Sequence, residues 1–261
     1  MAGFMPSSEA PPARTGKHGG MTVSMSGAPL LAAENLIKTY GGAPALAGVS
    51  LTVRPGESLA VMGASGSGKT TLLHCLAGII PPDAGRVRLF RDSAPPIEVT
   101  ALNEDARSAL RRREFGFVFQ QGLLIPELTA GENVALALML DGTPRLHAEQ
   151  AAANALADLG LAGMAERRIG ELSGGQAQRV AIARAQVTGA RMLFADEPTG
   201  ALDSRTSAEV MGQLLQTVQG TGRALMVVTH DAEVARWCGR IITLADGVVV
   251  ADTSGAAGIR R

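Results

Sequence analysis

The sequence is short of several features, and each shortage narrows the function of the protein. Its 261 residues include only two cysteines, Cys75 and Cys238, without the paired spacing of a metal site, so we expect reduced structural thiols. The 24 basic residues equal the 24 acidic ones, so the overall charge does not indicate a nucleic-acid partner. The longest apolar run, VALALML at 134–140, is far shorter than the ~20 residues that cross a bilayer. We therefore expect any action at a membrane to depend on another chain.

The first 28 residues differ in composition from the rest of the chain. They are rich in Pro, Gly, Ser and Ala and lack the apolar core of a signal peptide, so we predict a disordered tail over 1–28. The remaining pattern predicts a single domain over 29–252 and a flexible C-terminus over 253–261.

Short apolar runs alternate with helical patterns after the tail, which predicts an α/β fold with a mainly parallel sheet. Three runs are apolar almost throughout, as in strands buried on both faces: SLAVMG at 58–63, RMLFAD at 191–196 and ALMVVTH at 224–230. More polar segments before residue 58, with a turn at Pro55-Gly56, predict an antiparallel β subdomain. Helical spacing over about 121–185 predicts an inserted helical subdomain.

The strongest chemical signal is a glycine loop, GASGSGKTT at 63–71, between a predicted strand and a predicted helix. Such a loop turns backbone N–H groups toward phosphates, and the helix start adds its positive end. Lys69 is one of only three lysines in the chain, which argues against a chance glycine turn. Its side chain supplies positive charge for the phosphates, and Thr70 offers a hydroxyl to Mg²⁺. The motif predicts a P-loop NTPase core. Its candidate nucleotide-binding residues are Gly63, Ser65, Gly66, Ser67, Gly68, Lys69, Thr70 and Thr71.

Two acidic residues, Asp196 and Glu197, stand where the apolar run RMLFAD stops. Paired acids at a strand end are often a solvated edge, but beside a phosphate loop they suit a metal-bound triphosphate. Asp196 is the expected Mg²⁺ partner, and Glu197 is placed to act as general base on an attacking water.

A second glycine turn, LSGGQ at 172–176, also opens a predicted helix. Taken alone, it is explained by a helix with Ser173 as its N-cap. Alternatively, Ser173 and the backbone of Gly174 and Gly175 at a helix start can recognise a phosphate.

From about residue 30 to 252 the chain resembles the ATP-binding subunit of an ABC transporter. The resemblance rests on the phosphate loop, on LSGGQ, on LFADEPTGALD at 193–203, on Gln120 in FGFVFQQ and on His230 in VVTHD, all in the family's order. It implies two cassettes packed head to tail, in which the LSGGQ of one copy closes over ATP held by the other. The residues that would serve the partner's ATP are Ser173, Gly174, Gly175 and Gln176.

The same resemblance implies a catalytic set of Lys69, Gln120, Glu197 and His230. Gln120 corresponds to a residue that senses Mg²⁺ and the γ-phosphate, so the implied metal ligands are Thr70, Gln120 and Asp196. His230 corresponds to a histidine that contacts the γ-phosphate.

Two further residues have implied roles with an alternative beside each. Tyr40 corresponds to an aromatic residue that stacks on adenine, but as the only tyrosine it also fits a core position. Asp203 corresponds to a loop at the dimer interface, and it is also a good N-cap for a helix that starts at Ser204; both roles are compatible.

The amino-acid sequences of the motifs most resemble those of ATPases that serve FtsX-type permeases. This group acts in lipoprotein release, macrolide export and antimicrobial-peptide resistance. The resemblance implies a peripheral protein at the cytoplasmic face of the plasma membrane, with a permease and a second copy of the chain as partners. The alternatives are an importer ATPase, weakened because only 31 residues follow His230, and a soluble ABC ATPase that acts on nucleic acid or ribosomes.

Overall fold

The computed structural model describes residues 27–92, 94–120 and 123–255. Nearly all of the predicted tail, residues 1–26, and the last six residues lie outside these ranges. Thr253–Gly255, at the start of the predicted flexible C-terminus, form a short 3₁₀ turn.

The described residues form ten strands and seven α-helices. The strands are β1 (Leu31–Tyr40), β2 (Ala43–Val53), β3 (Ser58–Met62), β4 (Ala84–Arg91), β5 (Ala94–Glu98), β6 (Phe115–Phe119), β7 (Met192–Asp196), β8 (Ala224–Thr229), β9 (Arg240–Ala245) and β10 (Val248–Asp252). The helices are α1 (Lys69–Leu76), α2 (Glu104–Glu114), α3 (Ala130–Met139), α4 (Arg145–Asp158), α5 (Gly174–Gln186), α6 (Ser204–Gln216) and α7 (Ala232–Ala235).

The strands divide into two sheets, as the sequence pattern predicts. A four-stranded sheet has the order β2-β1-β4-β5 and is antiparallel throughout. A six-stranded sheet has the order β10-β9-β3-β8-β7-β6, in which only the edge strand β10 runs antiparallel. The α/β fold with a mainly parallel sheet and an antiparallel β sheet is therefore confirmed.

The parallel sheet is buried on both faces, which explains its continuous apolar runs. On one face, Leu59 and Val61 of β3 share a core with α1 and the antiparallel sheet. On the other face, Ala60 shares a core with α3 to α6. Because β3 is paired to β8 and β8 to β7, the segments that follow these three strands lie side by side at one edge of the sheet.

Helices α3, α4 and α5 lie between β6 and β7 in the chain, within or next to the range 121–185. Thr129 and Glu132 form a capping box that starts α3. Helix α5 packs closely on β6, because a Cβ at Gly116 would lie 2.1 Å from the carbonyl oxygen of Ala185. Glycine at 116 thus brings the helix onto the sheet. Residues 121 and 122, at the start of the predicted subdomain, lie outside the described ranges, and its bounds stay a prediction.

Candidate nucleotide-binding site

The phosphate loop joins β3 to α1, and its glycines are required by close backbone contacts. A Cβ at Gly63 would lie 2.3 Å from the carbonyl oxygen of Leu244, and one at Gly68 would lie 2.1 Å from that of Ala45. Gly68 also has a φ of 99°, a left-handed conformation that favours glycine, and it is the N-cap of α1. The loop is thus held against β2 and β9 while its other side faces a cleft.

The cleft has a volume of about 580 Å³ and contains most of the predicted loop residues. Glu197 and His230 face it from the ends of the neighbouring strands. Its lining residues are Ala45, Ala64, Ser65, Gly66, Gly68, Lys69, Thr70, Thr71, Glu197 and His230. Ser67 differs from its neighbours, because its hydroxyl is buried under the loop and has no hydrogen-bond partner among the described residues.

Lys69 is buried, and its ammonium group is held inside the loop. The Nζ donates to the carbonyl oxygens of Gly63 and Ala64, both at 2.8 Å. The charge is therefore positioned at the cleft by the backbone of the loop itself, where phosphate oxygens can replace the two carbonyls.

Thr70 and Asp196 meet across the ends of α1 and β7. The hydroxyl of Thr70 donates to Asp196, with distances of 3.2 Å to Oδ2 and 3.4 Å to Oδ1. Partial burial raises the pKa of the Asp196 carboxyl, and the hydrogen bond from Thr70 opposes that shift. A hydroxyl and a carboxylate side by side provide two oxygen ligands for a hard divalent cation.

Glu197 has an unusual backbone and a well-supported carboxylate. Its φ of 46° is left-handed, a conformation that costs a side-chain-bearing residue about 1 kcal/mol or more. Its N–H donates to the carbonyl oxygen of Val228 at 2.9 Å. The backbone N–H of His230 donates to Oε1 at 3.1 Å, and the Nδ1 of His230 lies 2.7 Å from the same oxygen. The two residues thus form one unit that faces the cleft.

Thr229 supports this unit, although sequence reasoning gave it no role. Its hydroxyl donates to Oε2 of Glu197 at 3.2 Å and accepts the N–H of Asp231 at 3.0 Å. The residue is buried, so the hydroxyl is held in place. The sequence feature that could have indicated this role is the position of Thr229 directly before His230, at the end of a buried strand.

Gln120 directly follows β6 and lies beside the loop that follows Glu197. Its side-chain Nε2 would be 2.8 Å from a Cβ placed at Gly200. Gln178 of α5 donates to the carbonyl oxygen of Phe119 at 3.0 Å, which ties the strand end to the helix that follows LSGGQ. Gln120 is therefore close to the loop that follows the acidic pair.

The second glycine turn is a helix cap whose residues do not line the cleft. The side chain of Ser173 accepts the N–H of Gln176 at 3.3 Å, and the side chain of Gln176 accepts the N–H of Ser173 at 2.9 Å. Gly175 is buried against Thr206 of α6, where a Cβ would lie 2.4 Å from the threonine methyl. Ser173 and Gly174 remain exposed at the surface. The predicted cap is present, and it leaves these two residues accessible to another molecule.

The sequence left two roles open for Asp203 and two for Tyr40, and the structure decides part of each question. Asp203 caps α6, since its carboxylate accepts the N–H groups of Arg205 and Thr206, both at 3.0 Å. Tyr40 is 49% exposed at the end of β1, so the core alternative for this residue is wrong. The ammonium of Lys38 lies over its ring, 5.7 Å from the ring centroid.

A family-wide sequence profile described as "ABC transporter" matches residues 46–200. This range includes the phosphate loop, LSGGQ and the acidic pair. The chain belongs to the ABC transporter family. Of the two glycine turns in this range, the phosphate loop lines the cleft and LSGGQ does not.

Named relatives agree with this assignment. The macrolide export ATP-binding/permease protein MacB of Brucella melitensis is 44% identical over 234 residues, which cover 88% of this chain and 35% of the relative. The pyoverdine export ATP-binding/permease protein PvdT of Pseudomonas fluorescens is 42% identical over 231 residues, 87% of this chain and 34% of the relative. The chain thus spans about a third of the length of these relatives.

A solved structure, the ATP-binding cassette MJ0796 as a dimer in a post-hydrolysis state with ADP and Pi, has a TM-score of 0.76 to this chain. It is 39% identical, and the match covers 85% of this chain and 97% of the cassette. The P-loop NTPase fold of an ABC cassette is therefore established. In the part of the chain described, no helix combines the length and apolar character required to span a bilayer.

Proposed function

We propose that the chain binds and hydrolyses ATP with Mg²⁺ as the ATPase subunit of an ABC transporter. The observation that carries the proposal is that Lys69, Thr70, Glu197 and His230 line one cleft at the ends of three adjacent strands. Asp196 is in hydrogen-bond contact with Thr70 at the same edge of the sheet. An ATPase assay of Lys69→Ala tests the proposal, since the variant is expected to lose ATP hydrolysis.

The residues present fit Mg²⁺. Thr70 and Asp196 are in hydrogen-bond contact, and Gln120 extends from the strand next to that of Asp196, so three oxygen-bearing side chains are available. Few protein ligands suffice for Mg²⁺, which keeps several waters and also binds substrate phosphates. When bound, the ion neutralises charge on the phosphates.

Glu197 is the proposed general base. Its carboxylate takes a proton from the attacking water, whose oxygen bonds to the γ-phosphorus as the bond from that phosphorus to the bridging oxygen breaks. The products are ADP and phosphate. Thr229 and His230 hold the carboxylate at the cleft. The left-handed backbone at Glu197 turns its side chain toward these donors after β7 ends.

A second copy of the chain is proposed to complete the site. Ser173 and Gly174 are exposed at a helix start and lie outside the cleft of their own chain, so in a head-to-tail pair they can meet the γ-phosphate held by the other copy. Asp203 begins the helix against which Gly175 packs, which suits a place at the same interface. The dimeric state described for the related cassette supports this arrangement.

The proposed membrane partner is a separate permease of the FtsX type, and the direction of transport is export or mechanotransmission. Support comes from the relatives MacB and PvdT, which are described as export proteins with ATP-binding and permease parts. The protein would then lie at the cytoplasmic face of the plasma membrane, attached through the permease.

The partner can be identified by affinity capture. Glu197→Gln protein held closed by MgATP is used to pull partners from detergent-solubilised membranes of its host, followed by mass spectrometry. We expect a permease with a large extracytoplasmic domain. Capture of an importer-type permease with a solute-binding protein would reverse the direction of transport, and capture of ribosomes or nucleic-acid proteins alone would refute the membrane role.

A further inference from the structure

The hairpin that carries Tyr40 is braced by a residue outside it. Strand β1 is paired with β4 only as far as the pair of Ile37 with Ala84. Beyond that pair, Thr39 is still opposite Pro44 of β2, but no strand lies on its other side. The last residues of β1 therefore need another partner on the β4 side.

Asp83, directly before β4, supplies that partner. Its Oδ2 accepts the N–H of Thr39 at 2.7 Å, and its Oδ1 accepts from the Nζ of Lys38 at 2.8 Å. Its own N–H donates to the carbonyl oxygen of Ile37 at 2.8 Å. One residue thus contacts three consecutive residues that precede Tyr40.

Lys38 transmits this contact to the aromatic ring. Residues two apart in a strand lie on the same face, so Lys38 and Tyr40 are neighbours there. The Nζ of Lys38 lies 5.7 Å from the centroid of the Tyr40 ring, and the lysine side chain is mostly buried although the ring is half exposed. The hydrogen bond with Asp83 also raises the pKa of Lys38 and lowers the pKa of Asp83, which agrees with a charged pair.

The hairpin is tied to the phosphate loop on its other strand. Ala45 lines the cleft, and its carbonyl oxygen is so close to Gly68 that a Cβ there would lie 2.1 Å away. The hairpin that carries Tyr40 is therefore supported on both of its strands, by the phosphate loop at Ala45 and by Asp83 at Thr39.

We propose that Asp83 is a positioning residue for the nucleotide base, which holds Lys38 and the backbone at Thr39 so that the ring of Tyr40 keeps the orientation needed to stack on adenine. The inference rests on the proposed ATP-binding function and on the stacking role of Tyr40. It predicts that Asp83 contributes to recognition of the base and not of the phosphates.

Calorimetric titration of full-length Glu197→Gln protein tests this, with ATP and with inorganic tripolyphosphate as ligands. Asp83→Ala is expected to weaken ATP binding about threefold to tenfold, the worth of an aromatic contact. Its affinity for tripolyphosphate is expected to match that of the parent. Asp83→Asn keeps an acceptor for Thr39 but loses the charge, so its ATP affinity is expected to lie between those of the parent and Asp83→Ala. The same variant tests the proposal if Asp83→Ala is unstable.

Two comparisons separate the possible failures. Adding Asp83→Ala to Tyr40→Ala should weaken ATP binding no further than Tyr40→Ala alone. Asp105→Asn, which removes an exposed carboxylate outside the cleft, should bind like the parent. Equal weakening of both ligands, or normal ATP binding by Asp83→Ala, would overturn the positioning role. Normal ATP binding by Tyr40→Ala would instead refute the stacking role in the proposed function.

Discussion

The hydroxyl of Thr229 donates to Oε2 of Glu197 at 3.2 Å, so a buried residue at the end of β8 orients a carboxylate at the end of β7. Strands β7 and β8 are neighbours in the sheet, which brings together two residues far apart in the chain. Since the other carboxylate oxygen is held by His230, the carboxylate has donors on both oxygens. Such support fixes the direction in which a general base can accept a proton.

Removing that hydroxyl is expected to slow hydrolysis. Thr229→Val keeps the shape of the side chain but loses the hydrogen bond, so kcat should fall about fivefold to tenfold with little change in KM. Thr229→Ser is the matched control and should keep most of the activity. Steady-state ATPase assays of the two variants measure both constants. An unchanged kcat in Thr229→Val would contradict the role of the hydroxyl.

Lys69→Ala is expected to abolish ATP turnover, with a loss of roughly a hundredfold or more. The reason is that Lys69 carries the positive charge held inside the phosphate loop by the carbonyls of Gly63 and Ala64. Thermal unfolding should show that the variant is folded. Wild-type ATPase activity in Lys69→Ala would refute the assignment of the site.

Gly68→Ala is expected to destabilise the fold by about 2–4 kcal/mol, because the new Cβ meets the carbonyl of Ala45 and the backbone has a left-handed φ. Gly142→Ala is the control, since Gly142 has a similar φ of 94° but nothing within 4 Å of the added atom. Chemical denaturation should show a smaller loss, about 1 kcal/mol, for the control. Equal losses would show that the contact with Ala45 is unimportant.

The buried side chain of Arg240 forms a network of ion pairs, and its Nη1 joins the two sheets by donating to the carbonyl oxygen of Thr52 in β2 at 2.8 Å. Arg240 of β9 contacts Asp252 through Nε and Nη2, at 2.8 Å and 2.7 Å, and Glu57 through Nη1 at 3.0 Å. Arg240→Met should lower the free energy of unfolding by about 2–4 kcal/mol, since two carboxylates lose their partner. Arg112→Met, at an exposed position, should change it by less than about 0.5 kcal/mol. A loss no larger than that of the control would contradict the structural role of Arg240.

The ion pairs of Arg240 also predict how the free energy of unfolding changes at low pH. Hydrogen bonds from Arg240 lower the pKa of Asp252 to about 2 in the folded protein, below its unfolded value of roughly 3.9. Its stabilising contribution is therefore complete above pH ~4 and is lost as the pH falls toward 2. Unfolding free energies measured across this window should decline less steeply in Arg240→Met than in the wild type. If the free energy of unfolding falls equally steeply with pH in the two proteins, the lowered pKa of Asp252 is excluded.

Much of the fold could be predicted because its signals are local. The runs that became β3, β7 and β8 are apolar throughout since both faces of the sheet are covered, and the phosphate loop is contiguous in sequence. The support of Glu197 by Thr229 and the brace of Lys38 by Asp83 join residues 32 and 45 positions apart, so they depend on tertiary contacts that no local pattern contains. The exposure of Tyr40 likewise depends on where β1 extends past β4.

Two copies of the chain are proposed to close around ATP, with Ser173 of each copy facing the cleft of the other. Sedimentation velocity of Glu197→Gln protein tests this composite site, because the variant is expected to bind ATP without hydrolysing it. A dimer at saturating MgATP and a monomer with ADP are the predicted results. A monomer at saturating MgATP would contradict the composite site.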